Sequence, residues 1–373
     1  MKILQIINSL ETAGAEKLLL DTVPLYVKKG IKMDVLLLWD NDFPFTDSLR
    51  KLGCCNIYIL KKSENRKDVY NPSAVLGIKK ILSNYDIAHL HVFPSQYFAV
   101  FANLLNGGKT KLVLTEHNTS NSRIKNKIFK PVEHFVYNRY DKVICITDEI
   151  KNIYLDYLGL PDKLVTINNG VDIRRINSSQ AYTKSDLGYR EDEKLLIMVA
   201  RFEDQKDQDT LIRALLNLPE KYKLLLVGIG KRRKELENLV LKLNLSERVR
   251  FLGQRMDVYQ LIKTADFVVL SSHFEGLSLA SVEGLASGKP FIASDVPGLK
   301  EIVKDAGLLF KKGDDRQLAD LILSFENNQE RYDDVVAGCL ERADKYDISE
   351  MVNKYIELYH SVLGNNFVNS QKS

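Results

Sequence analysis

The sequence predicts an α/β chain in which parallel sheets carry helices on both faces, divided into two domains. Three observations carry this. Short apolar runs alternate with helix-like runs along most of the chain, the pattern of strand–helix–strand units. Its 373 residues exceed what one ordinary hydrophobic core holds. In mid-chain an Asn169-Gly170 turn and a polar, poorly periodic run from Arg174 to Glu193 interrupt the alternation. The predicted domains are 1–170 and 171–348.

Composition narrows the class. Hydrophobic residues make up 45% and charged residues 27%, the balance of a soluble globular protein. A net charge of +4 without a concentrated basic patch argues against nucleic acid as a partner. Cys54, Cys55, Cys145 and Cys339 form no C-x-x-C and show no metal-ligand spacing with His. The adjacent Cys54 and Cys55 suit a reduced, cytoplasmic compartment. No apolar run approaches the roughly 18 residues of a membrane span. The N-terminus is too short in apolar length for a signal peptide, and the tail after Gly364 is expected to fray.

Lys2–Ile7 is predicted as a buried strand, followed by a loop through Gly14 and a helix from about Ala15. Further strands are predicted at about 31–38, 57–60, 87–92, 111–115 and 142–146. Helices are predicted at 73–83, 95–105, 124–139 and 149–157. Ligands of such sheets bind at the carboxyl ends of the strands. The strand at 111–115 ends in Glu116-His117-Asn118, so His117 stands where a ligand-contacting residue should stand. His89 and His91 flank Leu90 on one strand and share a face. With no third ligand at useful spacing, they are read as structural. Residues 121–140 interleave Arg123, Lys125, Lys127 and Lys130 with Ile124, Ile128, Phe129 and Phe135. Two readings stay open for them: a segment lying on an anionic membrane surface, or a solvated helix face.

The second domain is expected to open with the strand Leu195–Ala200, which ends at Arg201 with Lys206 five residues on. Asp207 is a good N-cap for the helix that follows. A guanidinium fork and an ammonium at the end of a first strand suit a diphosphate. Lys223–Val227 leads to Gly228-Ile229-Gly230, where the third glycine of a dinucleotide fingerprint is missing. Lys231-Arg232-Arg233-Lys234 would put four cations in a first helical turn, and they are read as solvated surface. Strand Val249–Leu252 ends in a Gly253 loop, and Phe267–Leu270 ends in Ser271-Ser272-His273. Then come a loop containing Gly276, a helix from Leu279 to Ala286, and the helix-stopping Gly288 and Pro290. Strand, glycine loop and helix aim backbone N–H groups at an anion. Glu275 and Glu283 bracket that build. A carboxylate there would repel phosphate, so its fitting partners are hydroxyls, and sugars are the ligand dense in hydroxyls.

The stretch from Glu275 to Pro290 resembles the donor-site signature of the retaining glycosyltransferases of group 1. That signature is Glu, seven residues, Glu, with Gly after the first Glu and Gly-x-Pro after the helix. The Asn-Gly-Val-Asp of residues 169–172 and the spacing of Arg201 and Lys206 also resemble that family. The resemblance covers nearly the whole chain. It implies two Rossmann-like domains facing across a cleft, the GT-B fold, with a C-terminal helix at about 349–363 returning to the first domain. It implies a nucleotide diphosphate sugar as donor, a uridine diphosphate sugar by family frequency, and no metal or other cofactor. Donor-binding residues would be Gly14, Arg201, Lys206, Gly276, Leu277, Ser278 and Glu283. Catalytic residues would be Glu275, against the developing positive charge of the transferred sugar, and His117 beside it. Gly14 matches in part, since Ala13 stands where many relatives carry another glycine.

The implied acceptor is a glycan or a lipid-linked sugar in surface polysaccharide synthesis, with the enzyme cytoplasmic and at the inner face of the membrane. Separate domains also imply closure on donor binding. Asp40-Asn41-Asp42 matches D-x-D, the metal signature of another glycosyltransferase class, but so short a pattern arises by chance and is read as surface. Two rivals remain. A sugar-nucleotide epimerase on the same scaffold would convert donor without acceptor. A non-catalytic nucleotide-sugar or glycan binding protein would bind donor and form no product.

Overall fold

Aliphatic runs bounded by polar residues become buried parallel strands, because helices cover both faces and leave no side of the strand wet. The computed structural model describes residues 1–117 and 122–364, without the side chains of residues 122, 125 and 127. Asn118 and the tail beyond residue 364 therefore lie outside the described residues, as do residue 121 and two of the four cations singled out in 121–140. The chain forms two compact units, Met1–Gly170 joined by the segment from Ile348 onward, and Val171–Asp347.

In the first unit the strands are β1 (Lys2–Ile7), β2 (Lys32–Leu37), β3 (Ile57–Ile59), β4 (Ile87–His91), β5 (Lys111–Glu116), β6 (Lys142–Cys145) and β7 (Leu164–Thr166). They pair in parallel in the order β3-β2-β1-β4-β5-β6-β7. The order reverses between β1 and β4, and a crevice opens at the carboxyl ends of strands at such a switch point. Gly14 follows β1, His91 ends β4 and His117 follows β5, so all three stand at that end. Register sets Gln5 against His89, and His91 against Thr115. Helix Ile348–Val362 belongs to this unit and buries Tyr355 and Tyr359 in it.

The second unit contains β8 (Lys194–Val199), β9 (Tyr222–Val227), β10 (Val249–Gly253), β11 (Phe267–Leu270), β12 (Phe291–Ser294) and β13 (Leu308–Phe310). They pair in parallel in the order β10-β9-β8-β11-β12-β13. Here the switch lies between β8 and β11, the strands that deliver Arg201 and Glu275. Gly284 lets helix Leu279–Leu285 lie flat on the sheet, since a Cβ there would come within 2.5 Å of the Phe291 ring.

Several expectations are corrected. The helix expected over 124–139 is three pieces, Ser122–Lys125, a 3-10 turn at Lys127–Phe129, and Lys130–Tyr137. Pro131 is the reason: it lacks an N–H donor, so it opens a helix and cannot continue one. The polar run after Arg174 is not all loop, because Asp172 caps a helix, Ile173–Ser178, accepting from the Arg175 amide at 2.9 Å. Asp40 is not surface. It is fully buried after β2 and accepts from Thr46 Oγ1 at 2.8 Å, whereas Asp42 is exposed and pairs with Lys62 at 2.7 Å.

The basic run at 231–234 is not simply solvated either. The helix starts at Arg233, and Arg232 is buried, held by Asp209 at 2.7 Å and Glu235 at 2.6 Å. The Arg233 guanidinium lies over the Phe251 ring at 4.4 Å. Protein carboxylates and aromatic faces thus offset these cations, and no external anion is needed.

Candidate active site

The loops after β8 and β11 are stitched together by hydrogen bonds. Ser271 Oγ donates to the Asp207 carbonyl at 2.7 Å, the His273 amide to the Gln205 carbonyl at 2.7 Å, and Gln205 Nε2 to the Phe274 carbonyl at 2.8 Å. Ser294 Oγ, from β12, donates to the Ser272 carbonyl at 2.5 Å. Asp207 caps helix Gln208–Ala214 in a left-handed conformation, φ +46°, and its Oδ2 also accepts from Thr210 Oγ1 at 2.6 Å.

This stitching brings two predicted site residues into contact. Lys206 Nζ donates to Glu275 Oε1 at 2.5 Å, and Ser272 Oγ donates to the same oxygen at 2.5 Å. Glu275 is buried and Lys206 nearly so. An ion pair taken out of water costs desolvation that its own attraction barely offsets. Oε2 of Glu275 has no partner among the described residues and is not sealed from solvent, so it remains open as an acceptor. Arg201 is exposed, and its side chain has no protein partner among the described residues. Its carbonyl is fixed by Gln208 Nε2 at 2.9 Å.

Leu277 is buried, and Ser278 is the N-cap of helix Leu279–Leu285 without a side-chain cap. Its carbonyl accepts from Ser281 Oγ at 2.6 Å. Glu283 lies on that helix and accepts from the Tyr259 hydroxyl at 3.3 Å. Arg201, Lys206, Glu275, Gly276, Leu277, Ser278 and Glu283 thus share one unit, and Gly14 and His117 belong to the other. Among the described residues, no three His, Cys, Asp or Glu side chains gather as a metal site.

In the first unit, His117 Nε2 faces His91 Nδ1 at 3.3 Å, and His91 Nε2 faces Gln5 Oε1 at 2.8 Å. His89 lies beside them, between Tyr359 Oη at 2.6 Å and Thr115 Oγ1 at 2.7 Å. Burial pushes His117 down to about 4, His89 down to about 3, and His91 well below its usual range. All three rings are therefore neutral at pH 7. Next to His117, burial raises Glu116 to about 7 against the opposing hydroxyls of Tyr137 and Tyr154. Gly14 is exposed at the first residue of helix Gly14–Lys28, with nothing within 4 Å of where a Cβ would be. The fold itself does not require glycine there.

Two groups against Glu275, Ser272 and Gly298, were not singled out by the sequence, and Gln205 and Gln5 lie one contact further back, on Phe274 and His91. Ser272 is local, three residues before Glu275, whereas the other three reach partners distant in sequence. The Gly228-Ile229-Gly230 turn has a packing cause. A Cβ at Gly228 would meet the Ala200 carbonyl at 2.0 Å, and one at Gly230 the Phe202 carbonyl at 2.4 Å.

Two doubly wound parallel sheets, each with polar groups gathered beyond the strand ends at its switch point, define the GT-B class of glycosyltransferase folds. Residues 180–338 match the family Glycosyl transferases group 1, and residues 12–175 match Glycosyltransferase Family 4. An uncharacterized glycosyltransferase of Methanocaldococcus jannaschii, MJ1178, is 35% identical over 66% of this chain and 66% of its own. The Escherichia coli UDP-Gal:alpha-D-GlcNAc-diphosphoundecaprenol alpha-1,3-galactosyltransferase is 28% identical over 90% of each chain. Among solved structures, Anabaena HepE in complex with UDP-glucose superposes with a TM-score of 0.83 at 23% identity, over 97% of this chain and 100% of that one. The chain belongs to the group 1 glycosyltransferases and is a glycosyltransferase enzyme.

Proposed function

We propose that this enzyme moves a sugar from a nucleotide diphosphate sugar, a uridine diphosphate sugar in our reading, to a glycan or lipid-linked acceptor in surface polysaccharide synthesis, with retention of configuration and without a metal. The observation that carries the reading is the contact of Lys206 with Glu275, in the unit where Arg201 follows β8 exposed and without a side-chain partner among the described residues. Arg201 and Lys206 take the two phosphates and stabilise the leaving diphosphate, the task a divalent ion has elsewhere. Glu275 keeps Oε2 for hydroxyls of the transferred sugar, and its charge faces the oxocarbenium-like centre that develops as the bond to phosphate breaks. Gly276, Leu277 and Ser278 offer backbone N–H groups to the diphosphate, and Glu283 accepts from the ribose. Gly14 leaves room for the donor at its helix terminus, and His117 lies against the transferred sugar.

The donor of the E. coli relative and the UDP-glucose of the HepE complex support the uridine nucleotide. The diphosphoundecaprenol acceptor of that relative supports a lipid-linked one. We place the enzyme in the cytoplasm at the inner membrane face. Its cysteines are free, and no helix among the described residues is long and apolar enough to cross a membrane. Peripheral contact would use the apolar and basic side chains of 121–140.

Arg201→Ala is expected to weaken binding of a uridine diphosphate sugar about ten- to a hundredfold, the worth of one or two charged hydrogen bonds. Glu275→Ala is expected to keep donor affinity within about threefold and to lose at least about a hundredfold in turnover. Calorimetric titration of donor and product assay with and without chelator decide it. Intact turnover in Glu275→Ala, or turnover abolished by chelator, would refute the reading, and conversion of donor alone would favour an epimerase.

A further inference from the structure

Two buried histidines of the first unit, His117 and His91, form a directed hydrogen-bond chain with Gln5, and one amide decides its direction. His117 Nε2 and His91 Nδ1 face each other at 3.3 Å, so one donates and the other accepts. Both rings are neutral, and each neutral ring carries one N–H. If His91 holds its proton on Nε2, it donates to Gln5, and its Nδ1 must accept from His117. If it holds the proton on Nδ1, the whole arrangement runs backwards. The Gln5 amide therefore chooses. Its oxygen faces His91 Nε2 at 2.8 Å, while its nitrogen faces the Met33 sulfur at 3.5 Å. Reversal would set the carbonyl oxygen against a sulfur lone pair and leave both without a proton.

His89 lies apart from this chain, between the Tyr359 hydroxyl at 2.6 Å and Thr115 Oγ1 at 2.7 Å, with Thr115 3.3 Å from the Tyr355 hydroxyl. Hydroxyls can donate or accept, so those contacts are satisfied in either sense and set no direction. The chain starts at His117, whose Nδ1 has no partner among the described residues, and runs through His91 and Gln5 to the Met33 sulfur.

We propose that Gln5 and His91 are positioning residues that hold His117 in the Nε2–H tautomer, so that Nδ1 is presented as an acceptor for a hydroxyl of the bound sugar. The sugar-facing part rests on the function proposed above; the tautomer does not. Fixing a ring nitrogen through the group behind it is a known way to control what an imidazole offers its substrate.

Long-range proton–nitrogen correlation spectra of the full chain, with 15N-labelled histidine and no ligand, read the tautomer directly. The expected result at pH 7 is a proton on Nε2 of His117 and of His91. A proton on Nδ1 of His117, or a charged ring, would overturn the proposal. Gln5→Leu is expected to leave His117 in mixed tautomers and to lower kcat/KM about three- to tenfold, the worth of one neutral hydrogen bond. Gln5→Glu, which keeps the acceptor, is expected to restore both. If Gln5→Leu does not fold, the unsubstituted spectrum still decides the tautomer. Mixed tautomers with unchanged kcat/KM would overturn the role in transfer while leaving Glu275 and the donor phosphate site untouched.

Discussion

Gly298 sits at φ +82°, and a Cβ there would come within 2.2 Å of the Glu275 carbonyl oxygen and 2.8 Å of that of Gly276. No side chain fits without moving that backbone, and the left-handed angle adds strain of its own. The Glu275 amide also donates to the Pro297 carbonyl, at 3.4 Å, so the two loops are held from both sides. A displacement of even an ångström at a positioned carboxylate is expensive for turnover. Gly298→Ala is expected to cost about ten- to a hundredfold in kcat while the chain still folds. Gly14→Ala is the contrast. Room is open around that position and the backbone is helical, so stability should hold or rise by about 0.4–1 kcal/mol. Denaturant titration and kcat measured on both variants test the pair. A Gly298→Ala enzyme with full kcat would show that the contact does not position Glu275.

At the scale of elements, the strands were legible because they are buried on both faces and appear as unbroken aliphatic runs. β1, β8 and β11 fell within a residue of expectation, and the helix after β11 starts at Leu279 and ends before Gly288 and Pro290, as those residues predicted. What stayed hidden depends on pairing across the sheet. Gln5 and His91 lie 86 residues apart and Lys206 and Glu275 lie 69 apart, so no local pattern joins them. Pro131 was visible, yet the apolar spacing around it imitated one long helix. The fragmentation has a consequence. Ile128 and Phe129 of the 3-10 turn and Val132 and Phe135 of the helix after it are exposed apolar side chains close in sequence, Ile128 at 75%. Arg139 lies over the Phe135 ring at 4.7 Å, placing a cation beside these apolar side chains. Ile128→Ser with Phe135→Ser is expected to lower co-sedimentation with phosphatidylglycerol vesicles about tenfold, by removing apolar area that would enter the lipid. Binding that does not depend on anionic lipid would remove the membrane contact.

At the scale of the molecule, the two units should respond differently to acid. In the unfolded chain a histidine titrates near 6.5. His117 at about 4, His89 at about 3 and His91 well below normal refuse protons that the unfolded chain accepts. Stability from these three is present above pH 6.5 and is lost as pH falls through about 4. Glu116 acts in the opposite sense. Raised from 4.5 to about 7, it holds a proton that the unfolded chain has released, so its contribution grows as pH falls from 7 to 4.5. Three imidazoles against one carboxyl leave a net loss on acidification between about 6.5 and 4. The other unit has no comparable buried histidine. There Asp257, held down to about 2 by Arg255, keeps its contribution above pH 3.8 and loses it only toward pH 2. Hydrogen exchange followed by mass spectrometry between pH 7 and 4 should therefore show protection falling first in β1, β4 and β5, with β8 and β11 unchanged until lower pH. If both sheets lose protection in step across that window, the buried histidines do not set the acid stability of their unit, and the neutral chain of hydrogen bonds behind His117 loses its independent thermodynamic support.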